Sequence, residues 1–170
     1  MSVAGCGSIE KLAAHHDTSQ FDCGKEILNR FLQRFALVNQ AAHGAQTYVL
    51  CRTDRTVVAY YSLAVGAVEH AAAPSRVSQG LARHAIPVML LARLAIDRSE
   101  QGRGLGKALL KDALLRSAQA ADIAGIRALL VHAKDEDARA WYAHFDFEPS
   151  PTDPFHLFLL MKDIKALIES

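Results

Sequence analysis

The eight residues Gln101-Gly102-Arg103-Gly104-Leu105-Gly106-Lys107-Ala108 hold the most chemistry per residue in the chain. They follow the apolar run Val88-Met89-Leu90-Leu91-Ala92-Arg93-Leu94-Ala95-Ile96 and open a helical pattern that continues through Leu109, Leu110, Leu114 and Leu115. A strand that breaks into a glycine-rich turn and then a helix is a device for binding phosphate. Glycines let the backbone approach the anion closely. The helix N-terminus offers unpaired N–H groups and the positive end of the helix dipole. Arg103 and Lys107 add positive charge at the same place.

Elimination narrows the kind of phosphate. A Walker A loop requires Gly, four residues, then Gly-Lys-Ser/Thr. Counting back from Gly106-Lys107 places Gln101 where the first glycine belongs, and Ala108 stands where the magnesium-binding hydroxyl belongs. The Rossmann spacing Gly-x-Gly-x-x-Gly also fails, because the glycines fall at 102, 104 and 106. The pattern that fits is Gln-x-x-Gly-x-Gly. It resembles the coenzyme A pyrophosphate loop of the GNAT superfamily of N-acetyltransferases. The resemblance implies acetyl-CoA as cofactor, held by Gln101, Gly102, Arg103, Gly104, Leu105, Gly106 and Lys107.

The elements around the loop follow from periodicity and turn chemistry. Ser8 to Ala13 allows a short opening strand. Asp22 suits a helix N-cap with Glu26 in the first turn, and Ile27, Leu28, Phe31, Phe35 and Val38 recur at helical spacing. Gln46 to Arg52 and Thr56 to Glu69 make a hairpin around Thr53-Asp54-Arg55. Ala71 to Pro87 is irregular. Val88 to Asp97 is a central strand and Arg103 to about Ala121 a helix. Ile126 to Ala133 is a strand, Asp135 to Phe145 a helix and Phe155 to Met161 a last strand, with a short helix over Ile164 to Ile168. The order is a hairpin first and βαβα later: an α/β (α+β) class with a mixed central sheet flanked by helices. It is similar to the GNAT fold, in which the sheet splays at the acetyl-CoA site. With no repeats and no linker, residues 1–170 are expected to form a single acetyltransferase domain.

Acetyl transfer to an amine requires that the thioester be held, its carbonyl polarised, a neutral amine presented and the leaving thiolate protonated. By resemblance, the strand before the loop supplies main-chain contacts through Leu94, Ala95 and Ile96, and main-chain N–H groups aimed at a developing oxyanion are a strong catalytic contribution. Tyr142, in Ala138-Arg139-Ala140-Trp141-Tyr142-Ala143-His144-Phe145, resembles the family tyrosine whose hydroxyl faces the coenzyme A sulfur. A phenol with a reference pKa of about 10 is a suitable acid for that thiolate. His132 and His144 are the candidate bases, each with a structural role as the alternative. An α-amine, with a pKa of about 7.7–8.0, is already partly neutral at physiological pH and needs little help.

The segments Tyr60-Tyr61-Ser62-Leu63-Ala64, Val88 to Ala95 and Trp141-Tyr142 to Phe147 resemble the GNAT toxins of bacterial toxin–antitoxin modules, the TacT and AtaT type. This resemblance implies acetylation of the α-amine of aminoacyl-tRNA, arrest of translation, a ribbon-helix-helix antitoxin as partner, and allows a homodimer. An RNA partner requires basic surface. The net charge is only +1, but residues 1–134 carry 16 Lys and Arg against 10 Asp and Glu, while residues 135–170 carry 3 against 8. Ile27 to Thr53 and His70 to Ile96 contain no acid. The candidate tRNA contacts are Arg30 and Arg34, four apart on a helix and assigned to its polar side opposite Ile27, Phe31 and Phe35, then Arg76 and Arg83 in the irregular segment, and Arg93 within the apolar strand. An unpaired charge at Arg93 would be costly, so it is either paired or faces the cleft. The rival functions are a small-molecule N-acetyltransferase, a protein N-terminal acetyltransferase and a non-catalytic acyl-CoA-binding module.

Other classes are disfavoured. Three cysteines, Cys6, Cys23 and Cys51, show no Cys-x-x-Cys spacing, and eight histidines form no His-Glu-x-x-His pair, so no metal is expected. No basic-then-apolar leader opens the chain, and the apolar run from Ile86 to Ala92 is far shorter than a membrane span, so a cytoplasmic protein with no membrane contact is expected.

Overall fold

The computed structural model describes residues 6–169. Its sheet has seven strands in the order β1-β2-β3-β4-β5-β7-β6. The hairpin strands β2 (Gln46–Cys51) and β3 (Val57–Val68) pair antiparallel from Gln46↔Leu63 to Leu50↔Ala59, with a bulge between Leu50 and Cys51. The turn between them places Arg55 at φ 73, its N–H donating to the Arg52 carbonyl at 2.9 Å, while the Asp54 carboxylate accepts from the Thr56 N–H at 3.0 Å. The opening strand β1 is only Glu10–Lys11, on the outer edge of β2. β4 (Ile86–Ile96) runs parallel to β5 (Ala128–His132) from Val88↔Ala128 to Leu91↔Val131, and β4 then continues to Ile96. β7 (His156–Leu160) is antiparallel to β5 and carries the two-residue β6 (Glu148–Pro149) at its far edge. The mixed sheet with flanking helices is the α/β class expected.

Backbone proximity divides the chain into two compact units. One holds the described residues through Ala64 together with Ala92–Ala113, and the other Val65–Leu91 together with the described residues from Leu114 onward. The first is centred on Leu12, Phe21, Phe31, Leu32, Ala36, Val49, Val57, Tyr60 and Ala95, all buried. The second is centred on Ala73, Val77, Ile86, Val88, Ala128, Leu130, Phe158 and Leu160. Short α3 (Ser75–Ser78), α5 (Glu136–His144) and α6 (Met161–Glu169) pack against β7 in this unit. α6 starts three residues before the expected Ile164, directly where β7 ends.

The first helix departs from its expected face. α1 (Glu26–Arg30) passes through a π-helical turn, Phe31–Phe35, into α2 (Ala36–Ala41). The extra residue in that turn rotates the inward face. Asn29, Phe31, Leu32 and Ala36 are buried, whereas Ile27 is 80% and Val38 71% exposed. Phe35 is also exposed, so Arg30 and Arg34 share the solvent side with Ile27 and Phe35 rather than opposing them. Asp22 is not the N-cap either. Lys25 holds that position with no side-chain cap. The Asp22 carboxylate instead accepts the Gly24 N–H at 2.9 Å and the Asn29 amide at 3.0 Å, closing a turn at Gly24, φ 93. The Asn29 amide oxygen accepts from the Cys23 N–H at 2.8 Å, which explains a buried asparagine at an inward helical position.

α5 is capped at Asp135. The Asp135 carboxylate accepts from the Ala138 N–H at 2.8 Å, with Glu136 and Asp137 in the first turn favouring the helix dipole. Asp135→Ala is expected to lower stability by about 1 kcal/mol through loss of that cap. Urea unfolding at unchanged m-value should report it, and an unmoved midpoint would show that the cap contributes nothing.

Candidate active site

The glycine-rich loop after β4 is built within the first unit. Gly102 and Gly104 have φ of 81° and 79°, in the left-handed region that side chains disfavour. A Cβ at either position would meet nothing within 4 Å, so the glycines are required by backbone angle and the space beside them is open to a ligand. α4 (Leu105–Ala121) begins immediately after, and the Ala108 N–H makes the helical bond back to Gly104 at 3.3 Å. The N–H groups of the first turn, at Leu105, Gly106 and Lys107, precede any intrahelical acceptor. They sit where an anion can take them, with the exposed Lys107 beside them.

Side chains hold this loop from behind. The Gln101 amide donates to the Ile96 carbonyl at 2.9 Å and to the Cys23 carbonyl at 3.1 Å. Gln101 therefore fixes the turn against the end of β4 and against the segment before α1. Asp97 continues the stitch: one oxygen accepts the Asp22 N–H at 2.8 Å, and the other accepts the Ser99 hydroxyl at 2.6 Å. Burial pushes the Asp97 carboxyl up, but the Ser99 and Asp22 hydrogen bonds outweigh it and hold the pKa below the usual value. Glu100, buried at 7%, is gripped by Arg103 and, at 3.1 Å, by Arg52. Arg103 is thus tied to the underside of the loop. Sequence spacing did not reveal Glu100 or Asp97 as supports; Asp-x-Ser at 97–99 was the one local signal, a side chain able to bond its own backbone two residues on.

On β4, Ala95 is buried among the core residues, and Leu94 and Ile96 are half-buried. The parallel pairing with β5 ends at Leu91, upstream of Leu94 to Ile96. Arg93 has no carboxylate within ion-pair distance among the described residues. Its guanidinium carbon lies 3.6 Å from the centroid of the Phe31 ring.

Tyr142 belongs to the second unit, on α5. Its ring meets Trp141 edge-on at 5.0 Å and Phe147 at 5.4 Å. Burial in this apolar setting pushes its pKa up to about 12, so the hydroxyl keeps its proton at neutral pH. The candidate bases have other neighbours. His132 stacks on His156 at 4.0 Å across β5 and β7, and burial, followed by the His156 charge, lowers its pKa. His144 sits exposed at the end of α5, its ring 5.3 Å from Phe145.

The remaining arginines divide by partner. Arg30, Arg34 and Arg83 are exposed. Arg76 is engaged by Asp163 through two bonds of 2.8 and 3.1 Å, with Glu148 at 3.8 Å. One His/Glu cluster was not foreseen: Glu10, His15 and His16 bring their ligand atoms within 4.8 Å of one another. The His16 Nδ1 accepts the Ala13 N–H at 2.9 Å, so its Nε2 carries the proton that faces Glu10 at 2.6 Å. A metal-binding imidazole usually donates from its second nitrogen. This one accepts there, and the cluster works as a pin for the Ala13–His16 turn.

Residues 43–149 match the family model described as an acetyltransferase (GNAT) domain. The chain is 50% identical over 166 residues to a "tRNA-acetylating toxin" of Mycobacterium tuberculosis, covering 98% of this chain and 99% of that one. The structure is similar to AtaT complexed with acetyl-methionyl-tRNAfMet (TM-score 0.88, 35% identity, 95% and 98% coverage). It is also similar to a mutant AtaT toxin bound to the C-terminus of the antitoxin AtaR and acetyl-CoA (TM-score 0.81, 33% identity, 96% and 98% coverage).

The environment of Tyr142 is checked by a difference ultraviolet titration of the parent against Tyr142→Phe. The missing tyrosine should titrate with a midpoint at about 12. Because the folded pKa is raised, its contribution to stability is present below pH 10 or so and is lost as pH rises toward about 12. A midpoint near 10 would show a solvated phenol.

Proposed function

This chain belongs to the GNAT acetyltransferase family, and on that premise we propose that it is a toxin that transfers the acetyl group of acetyl-CoA to the α-amine of aminoacyl-tRNA and so blocks translation. The observation that carries the substrate is the 50% identity, over nearly the whole of both chains, to a tRNA-acetylating toxin. The left-handed glycines and the open space beside them fit a coenzyme pyrophosphate.

Acetyl-CoA supplies the activated acetyl group. The N–H groups of Leu105, Gly106 and Lys107 hold the pyrophosphate at the helix N-terminus, with Gly102 and Gly104 allowing close approach. Arg103, tied to Glu100, contributes charge from a fixed position. The main chain of Leu94 to Ile96 offers donors and acceptors to the pantetheine arm and the thioester carbonyl, and a donor aimed at the developing oxyanion stabilises the transition state. The Ile96 carbonyl is already taken by Gln101, so its contribution is to hold the loop. Tyr142, protonated at neutral pH, donates its proton to the departing sulfur. The α-amine of an aminoacyl ester needs no strong base, because a useful part is neutral at physiological pH. Exposed Arg30, Arg34 and Arg83 on acid-free segments provide the basic surface for RNA, while Arg76 serves mainly to join α3 to α6 through Asp163.

We take residues 1–170 as one acetyltransferase domain, cytoplasmic, with a ribbon-helix-helix antitoxin as partner and a homodimer as its assembly. The structure of AtaT with the C-terminus of AtaR supports an antitoxin partner. No helix among the described residues is long and apolar enough to cross a membrane.

The test is acetylation of charged tRNA by the parent and by Tyr142→Phe. The parent should label the amino acid. The variant keeps the ring and its packing and should lose roughly 10²–10⁴-fold in turnover, as expected for a lost general acid. Its acetyl-CoA affinity should be unchanged, because the hydroxyl acts mainly in the transition state. Near-parental turnover would remove Tyr142 from the mechanism, and a parent that labels only small amines would overturn the tRNA substrate.

A further inference from the structure

Arg93 stands in the part of β4 that follows the last β5 pair, Leu91↔Val131, and immediately precedes Leu94. Strand alternation puts Arg93 on the same side as Ala95, which is buried in the cluster with Phe31 and Tyr60. The ring beneath the guanidinium is itself fixed. Phe31 lies at the start of the π-helical turn, is buried, and stacks on Tyr60 at 6.3 Å with an interplanar angle of 20°. The Tyr60 hydroxyl donates to the Leu28 carbonyl at 2.7 Å, anchoring the helix that carries Phe31.

Arg93 is half-buried, and among the described residues its guanidinium makes no hydrogen bond and meets no carboxylate. Other arginines in the chain, Arg52, Arg76, Arg103 and Arg139, each have a carboxylate. A cation partly withdrawn from water needs compensation, and the Phe31 face supplies only part of it. That ring occupies one face of the planar group and leaves the N–H edge, a rigid fork suited to bidentate binding of an anion.

We propose that Arg93, backed by Phe31, receives a phosphodiester of the single-stranded 3′ end of the RNA. The inference rests on the aminoacyl-tRNA reading above and deepens it. Esterification removes the amino acid's α-carboxylate, so the anions that every such substrate brings are its phosphodiesters. Arg93 immediately precedes Leu94 to Ile96, the main chain proposed to hold the thioester, so an anion on its side chain lies within an arginine's reach of that strand end. The anion nearest the reacting amine therefore belongs to the terminal nucleotides. Arg30 and Arg34, fully on the surface, would hold backbone farther along the RNA without fixing the amine.

The experiment measures binding of an uncharged single-stranded oligoribonucleotide ending in CCA, by parent, Arg93→Gln and Arg93→Lys, at several salt concentrations, with acetyl-CoA affinity as the control. Arg93→Gln should weaken the oligonucleotide by about tenfold, the loss of a charge-assisted hydrogen bond. It should also flatten the dependence of log affinity on log salt by about 0.7, one single-strand phosphate contact. Arg93→Lys should keep the salt slope and lose affinity, because charge remains and the stacked fork does not. Acetyl-CoA affinity should stay parental in both. A folded Arg93→Gln with parental affinity and slope overturns the proposal, as does a parent that does not bind the oligonucleotide or an equal loss of acetyl-CoA binding, which would make Arg93 a packing residue. If Arg93→Gln does not fold, Arg93→Lys with parental affinity overturns it alone. A parent that binds the oligonucleotide through Arg93 yet acetylates no charged tRNA sinks the substrate reading and leaves this site standing.

Discussion

A helix can bind an anion at its N-terminus only if the chain reaches that helix without covering its first N–H groups, and this constraint organises the first unit of the protein. Gly102 and Gly104 turn the backbone through the left-handed region so that α4 begins with open donors. Such a turn is unfavourable in isolation and flexible in solution. It is held here from behind by Gln101 on two carbonyls, by Asp97 on Asp22 and Ser99, and by a buried Glu100 gripped by two arginines. Part of the positive charge at the loop, on Arg52 and Arg103, is thereby held against Glu100.

Tyr142 depends on a different physical effect. Tyr142 sits among Trp141 and Phe147 on a helix capped by Asp135, and desolvation raises its pKa. The phenol therefore keeps its proton at neutral pH. Of the two candidate bases, His144 is exposed at the end of α5. His132 stacks on His156 at the end of β5.

The parts of this protein legible in sequence are those governed by local rules. The glycine-rich loop was legible because glycine adopts the required φ most readily, and β2 to β5 appeared as apolar runs between turn residues. The first helix did not, because spacing arguments assume a period of 3.6 residues and the turn Phe31–Phe35 adds one. Ile27 and Val38 consequently face solvent, and Asn29 faces inward. Asp22 carries a plausible cap identity but spends it on Gly24 and Asn29. β6, two residues with a proline, is too short to leave a pattern. Contacts between distant residues were invisible for the same reason: nothing near Arg76 in sequence points to Asp163, nothing near Arg93 points to Phe31, and Glu100 gives no local sign of burial.

The central claim, that the open N-terminus of α4 holds the coenzyme pyrophosphate, is tested most directly by calorimetry of acetyl-CoA with the parent, Gly104→Ala and Gly104→Asp. Both variants bear the strain of a side chain at φ 79, and the Cβ that each adds meets no neighbouring atom within 4 Å. Alanine therefore reports strain alone, whereas aspartate adds a negative charge where the phosphates should lie. The account predicts a modest loss for alanine and a much larger one for aspartate, in proteins that unfold at similar denaturant concentrations. Equal, near-parental affinity in both folded variants would contradict it.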